Sequence, residues 1–238
     1  MSITLPRTPD GITRLDSYLN EFLSSGLLGV SKIADAPQEM RRITSLREYR
    51  SGSFLFHQGD TPDRLHLIAD GLIRCYRTTR SGRIFCLNVV GKGEMVGEIP
   101  LLAQSPYSVS GEAISDVSAM EVLWVDFLRL IEKYPPIAFN LSRLVATKLK
   151  RLADITMDVV QLNASERVKR VLCYFGRHFG SAIPLTHEDI AGLCGITRET
   201  ASRALESLRA DGLIHYTQDS RTKRHIRILA LETLGLSE

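Results

Sequence analysis

Arg198, Glu199, Ser202 and Arg203 lie close together in a stretch of helical periodicity that reads Thr197-Arg198-Glu199-Thr200-Ala201-Ser202-Arg203. An arginine can donate two hydrogen bonds to guanine O6 and N7, a glutamate accepts from the cytosine amino group, and a serine hydroxyl reaches a base or a phosphate. Thr197 is of the type that caps a helix N-terminus. Ala201, Leu205 and Leu208 recur at helical spacing and face the other way, toward a core. Upstream, Thr186 with Asp189 three residues on comes close to a capping box. Ile190, Ala191 and Leu193 supply the inward face of a first helix. Gly195 permits the positive φ of a tight helix-to-helix turn, and Ile196 plugs the space between the helices. The pattern predicts a helix-turn-helix whose second helix enters the major groove of double-stranded DNA.

Exposed Arg and Glu could merely solvate a helix surface. The segment beyond Leu208 favours the reading role. Gly212–Tyr216 reads as a strand, Asp219–Arg224 as a turn and His225–Leu229 as a return strand, which makes a basic hairpin, or wing, beside the reading helix. Arg221, Lys223, Arg224 and Arg227 crowd into seven positions there. Such a hairpin supplies sequence-independent phosphate contacts. Backbone contacts are therefore expected from Thr186, His187, Thr197, Thr200, Arg221, Lys223 and Arg224. Local charge carries this expectation, because the net charge of +3 is too small to do so.

These elements need a scaffold. A chain of 238 residues, 44% hydrophobic and 24% charged, has the composition of a soluble protein with room for two cores. It has neither a membrane-length apolar run nor a basic-then-apolar leader, so a cytoplasmic protein without a membrane partner is expected. Residues 1–40 read as a lead-in with a short amphipathic helix around Leu15 to Leu27. Residues 41–131 hold short β-rich runs (Ser53–Phe56, Arg64–Ile68, Leu72–Thr78, Ile84–Val89, Ala119–Val125) separated by Gly- and Asp-containing turns, the pattern of a small antiparallel roll. Residues 132–162 form a long helix opened by Pro135-Pro136. Residues 163–238 begin with an Asn163-Ala164-Ser165 break, after which Ser165 is expected to cap a helix over Glu166–Phe179, and carry the DNA-reading unit. The fold class is α+β.

Along the long helix Ala138, Val145, Leu152 and Val159 fill one heptad seam position, and Leu141, Lys148, Ile155 and Leu162 the other. A helix packing only on its own domain would show a similar stripe. Pairing with a second copy is the preferred reading, with Leu141, Val145, Leu152, Ile155, Val159 and Leu162 as the dimerisation set. The cysteines Cys75, Cys86, Cys173 and Cys194 form no C-x-x-C pair and read as buried thiols. Cys194, in the turn beside DNA, is the one where oxidation could act on binding.

The order of roll, long helix and winged helix, with Gly93-Glu94-Met95-Val96-Gly97-Glu98 and the Arg198–Arg203 core, resembles the cyclic-AMP receptor protein/fumarate-nitrate reduction regulator superfamily over nearly all of the chain beyond residue 40. The resemblance implies a cyclic-nucleotide-binding-like (cupin-like) roll, a homodimer, contact with RNA polymerase and a transcription regulator, read here as an activator. Arg198, Glu199 and Arg203 match base-reading positions of one branch, while Glu199, Ser202 and Arg203 match those of the other. A TGA core within TGTGA or TTGA, repeated as a palindrome, is the implied half-site.

For the effector, the resemblance points to Gly93, Glu94, Gly97, Glu98, Ser108 and Val109. Relatives that bind cyclic AMP carry an Arg-Ser or Arg-Thr pair in the stretch that here reads Ser105-Pro106-Tyr107-Ser108-Val109-Ser110-Gly111-Glu112-Ala113, which has no arginine. Gly93–Leu128 has no Lys or Arg to offset Glu94, Glu98, Glu112, Asp116, Glu121 and Asp126. Burying an unpaired phosphate is costly, so Arg83 or Lys92 would have to swing in. Ordinary cyclic-AMP control is therefore not expected. The iron–sulfur branch uses N-terminal cysteines, and residues 1–74 contain none. A haem would have to draw on His57, His66 or Cys75, each of which has a simpler reading as a strand or turn residue. No cofactor or metal is required, and the effector is unknown. The alternatives are a cyclic-nucleotide- or haem-responsive regulator of the same fold, or a ligand-binding module acting on a partner protein. No nucleophile elbow, phosphate loop or metal-spaced ligand set suggests an enzyme.

Overall fold

The computed structural model describes residues 14–25, 28, 29, 33, 35–79, 84–218 and 224–229. An amphipathic helix α1 (Arg14–Ser25) and a short α2 (Ala36–Ile43) lead into β1 (Thr44–Tyr49), β2 (Phe54–Phe56), β3 (Arg64–Asp70), β4 (Leu72–Thr78), β5 (Ile84–Gly91) and β6 (Met95–Val96). Then come α3 (Glu98–Leu102), β7 (Ser110–Ala113), β8 (Val117–Leu123), α4 (Trp124–Lys133) and the long α5 (Pro136–Gln161). The reading unit comprises α6 (Ala164–Phe179), β9 (Ala182–Ile183), α7 (His187–Cys194), α8 (Arg198–Ala210), β10 (Ile214–Gln218) and β11 (Arg224–Ile228).

Two antiparallel sheets, ordered β1-β8-β3-β6 and β2-β7-β4-β5, face each other as the roll. Their shared interior is filled by Tyr49, Phe56, Ile68, Ile73, Cys75, Val90, Tyr107 and Val117. Residues alternate across β3: Leu65, Leu67 and Ala69 turn outward to a second core with α1, α2, α4 and the start of α5, while Ile68 turns inward. Strand β8, between β1 and β3, is buried from Val117 to Val122, so it shows no period-two pattern. The expected run Ala119–Val125 is therefore out of place at both ends. The strand starts two residues earlier, and Trp124 instead opens α4 as its N–H donates to Asp63 O at 2.8 Å.

Two other expectations are corrected. Asn163, not Ser165, caps α6: its side chain accepts from Glu166 N at 3.1 Å while the Glu166 carboxylate accepts from Asn163 N at 2.8 Å. Ala164 and Ser165 are already helical, so the break is confined to Leu162 and Asn163, both extended. The two heptad rows also separate. Leu141 is 3% exposed and belongs to the roll's outer core with Ile137, so it is not free to meet a second copy. Lys148 turns to the roll, where its ammonium donates to Met95 O at 2.7 Å and to the Glu98 carboxylate. Leu152 and Val159 remain exposed, next to exposed Leu149 and Val160, whereas Val145, Ile155 and Leu162 are half-buried.

Candidate nucleic-acid interface

The reading unit is built on one apolar core. Val168, Leu172 and Phe175 of α6 meet Ile190, Ala191 and Cys194 of α7, Ala201, Leu205 and Leu208 of α8, and Ile214, Ile226 and Ile228 of the small sheet β10-β11-β9. Leu193 and Ile196 pack against it half-buried. Thr186 caps α7 by accepting from Asp189 N at 3.1 Å, and Asp189 Oδ2 accepts in return from Thr186 N at 2.9 Å and its hydroxyl at 2.6 Å. Gly195, at φ 61°, ends α7, and Ile196 N closes the turn on Ala191 O at 3.0 Å. Thr197 starts α8 by accepting from Thr200 N at 3.3 Å.

This turn leaves Arg198, Glu199 and Arg203 exposed at the first two turns of α8. The Glu199 carboxyl is held below the usual range by its own backbone N–H and the Thr197 hydroxyl, with Arg198 and Arg203 nearby. It is an ionised acceptor at neutral pH. Ser202 is half-buried, with its hydroxyl 2.8 Å from His187 Nδ1. Thr186 and Thr197 are exposed; Thr200 is half-buried with its hydroxyl 3.1 Å from that of Thr197. In the wing, β10 pairs with β11 from Ile214↔Ile228 to Gln218↔Arg224, which places the Arg224 backbone at the far end of the hairpin from Ile228. Arg221 and Lys223 lie outside the described residues.

The contact between the reading unit and the roll is absent from any local sequence pattern. Arg74 of β4 donates to Asp189 at 2.8 Å and to Glu112 at 2.9 Å, so the carboxylate that caps α7 also anchors it to the sensor sheet. Desolvation works against the Arg74 charge, but the two carboxylates hold its pKa above the ordinary value. Gly192 makes the contact close: a Cβ there would stand 2.4 Å from Cys86 N of β5. The four cysteines are buried, and burial pushes the Cys194 thiol up to about 12, which disfavours the thiolate that oxidation needs.

The acidic cassette is also less naked than its sequence implies, because most of its cations come from other elements. Glu98 is 1% exposed and pairs with Lys148; Glu94 lies 3.8 Å from Arg151, and Glu112 pairs with Arg74. Burial works to raise the Glu121 pKa, but His66, Tyr49 and Arg64 outweigh it and bring the carboxyl down to about 2. Asp126 pairs with Arg129, and Asp116 accepts from Ser51 N. Of the effector positions, Gly93 and Gly97 hold positive φ, Ser108 is exposed and Val109 packs half-buried on the roll interior. Lys92 pairs with Glu21 at 2.7 Å, and Arg83 lies outside the described residues. His57 stacks on Phe54, His66 is buried 3.5 Å from Glu121, and Cys75 is buried. No helix among the described residues is long and apolar enough to cross a membrane.

Comparison with known proteins matches residues 46–134 to a cyclic nucleotide-binding domain and residues 166–235 to a Crp-like helix-turn-helix domain. Over 207 residues the chain is 32% identical to the cyclic AMP receptor protein of Thermus thermophilus, covering 85% of this chain and 95% of that one. It is 23% identical to the anaerobic regulatory protein of Bacillus subtilis, covering 82% and 85%. Among solved structures, the Thermus thermophilus catabolite activator protein superposes with a TM-score of 0.50 at 30% identity, covering 87% of this chain and 95% of that one. FixK2 of Bradyrhizobium japonicum gives 0.69 at 22% identity, covering 82% and 99%, a likeness of fold.

Proposed function

This chain belongs to the cyclic-AMP receptor protein/fumarate-nitrate reduction regulator superfamily of bacterial transcription regulators, and from that premise we propose that it is a cytoplasmic, homodimeric activator reading palindromic TGA-containing sites without ordinary cyclic AMP as its effector. The observation that carries the DNA-reading part is α8 itself: Arg198, Glu199 and Arg203 stand exposed at its capped start while Ala201, Leu205 and Leu208 fix its other face in the core. Arg198 and Arg203 supply paired donors for guanine, and ionised Glu199 accepts from cytosine. Thr186, His187, Thr197, Thr200 and the wing residues Arg221, Lys223 and Arg224 hold the phosphates. RNA polymerase is the further partner that family membership implies.

The effector part rests on two features. The stretch over residues 105–113, where the family's phosphate-binding Arg-Ser or Arg-Thr pair is expected, contains no arginine, and the buried Glu98 is already paired with Lys148 from the same chain. A cyclic phosphate entering there would have to be desolvated beside carboxylates with Lys148 already engaged. An uncharged ligand, or no ligand, fits better.

The test is the affinity of the purified protein for a palindromic TGA duplex and a scrambled control, measured across salt concentrations with and without cyclic AMP, together with its visible absorption spectrum. The expected result is a salt-sensitive preference for the palindrome with no additive, unchanged by cyclic AMP, and no Soret band. Absence of any preference would overturn the DNA reading. A preference that appears only with cyclic AMP, or a Soret band, would overturn the effector reading alone.

A further inference from the structure

His187 opens α7, yet its imidazole is held among three elements of the reading unit. Nδ1 stands 2.8 Å from Ser202 Oγ on α8, and the ring lies 5.7 Å from that of Tyr216 on β10, tilted by 37°. Thr186, immediately before it, is locked by its capping box with Asp189, so the backbone that carries the imidazole is fixed. Ser202 is half-buried, and its hydroxyl has one proton to give. Where that proton points decides what Ser202 can read. A hydroxyl that donates to Nδ1 offers a base only its lone pairs and accepts from an exocyclic amine. A hydroxyl that receives from Nδ1–H keeps its proton for a base acceptor.

We propose that His187 is a specificity-determining positioning residue that sets Ser202 Oγ as a hydrogen-bond acceptor toward the base. The inference rests on the reading of α8 as the major-groove helix. In that reading the N-terminus of α7 lies against the phosphate backbone, where an imidazole N–H at Nε2 would serve a phosphate oxygen as donor. A neutral ring with its proton on Nε2 has a bare Nδ1, which accepts the Ser202 proton. The phosphate contact and the base contact are then joined through one ring. Ser202 favours a base with an amino group in the major groove, adenine N6 or cytosine N4.

The experiment measures affinities of the full-length protein for duplexes varied one position at a time through the half-site, comparing parent, Ser202→Ala, His187→Phe and His187→Asn. Phenylalanine keeps a ring against Tyr216 and removes both nitrogens; asparagine returns an acceptor near the place of Nδ1. Ser202→Ala is expected to erase the preference at one position, about three- to tenfold for a single hydrogen bond. His187→Phe is expected to erase the preference at that same position and to weaken all duplexes alike through the lost phosphate contact. His187→Asn restores the preference at least in part. A uniform loss in His187→Phe with the Ser202 position still selective would overturn the inference and leave the DNA reading standing. So would a Ser202→Ala profile identical to the parent, or His187→Asn matching His187→Phe. A parent protein that selects no base at any position would overturn the DNA reading itself.

Discussion

Arg203 and Lys223 represent the two jobs that side chains do on a duplex, and they separate under mutation. Arg203 is exposed on α8 close to Glu199, and in the proposed reading its guanidinium meets a base edge, whereas Lys223 of the wing sequence meets phosphate. Arg203→Ala is expected to cost about 1–3 kcal/mol on the cognate duplex and to relax preference at one base pair, while Lys223→Ala weakens all sequences similarly and lowers the salt slope by about one. Equal losses on cognate and scrambled DNA for Arg203→Ala would contradict its base-reading role. Away from the DNA, Glu121 ties stability to pH. Its folded pKa of about 2 lies below its ordinary value, so its contribution is fully present above the unfolded value and is lost as pH falls toward 2. The shift corresponds to about 3 kcal/mol. Glu121→Gln should therefore lower stability at pH 7 and flatten the decline between about pH 5 and pH 2 in urea titrations. An unchanged acid limb would remove Glu121 from that account.

Among the elements, legibility follows the distance between partners in the chain. The caps of α7 and α8 are readable because Thr186 and Asp189, or Thr197 and Thr200, are three residues apart and their chemistry is local. Asn163 and Ser165 are rival caps of equal type, and only the position of Glu166 three residues after Asn163 separates them. Strand β8 hides its ends because burial on both faces removes alternation. Lys148 looks like a flaw in a coiled-coil seam because its partner Glu98 lies 50 residues upstream. The Arg74–Asp189 pair spans 115 residues and leaves no trace in either local pattern. That pair makes its own prediction. Arg74→Met keeps the aliphatic stem but leaves Asp189, whose side chain is 2% exposed, without its cation. The loss should be about 3 kcal/mol, at the low end for breaking a buried pair since Arg74 is itself one-fifth exposed. Calorimetry or urea unfolding measures it, and a change below about 0.5 kcal/mol would show that the apolar packing of Cys86, Val89 and Ile114 on the reading unit's core, and not this ion pair, holds the two units together.

For the whole molecule, α5 is the part that must serve two masters. Its inward row, from Ile137 and Leu141 to Lys148, is committed to the roll of its own chain. Its outward stripe keeps Leu149, Leu152 and Val160 at 65%, 60% and 77% exposure, with Val159 between them. Four large apolar side chains on one helical stripe gain little in water and gain readily against an identical stripe, and a two-fold axis along that contact brings the same residues together from both copies. Such an axis would also match a palindromic site, because two-fold related copies of α8 would meet two half-sites related by the same symmetry. Leu152→Glu places a carboxylate in the middle of this contact without touching the roll. Sedimentation should show a monomer where the parent is a dimer. Affinity for the full palindrome should fall by more than about tenfold, because the second half-site no longer binds as part of one molecule. Affinity for a single half-site should hardly change, since α8 and its core are untouched. A Leu152→Glu protein that still sediments as the parent would take the long helix out of dimerisation and leave the palindrome without a structural basis.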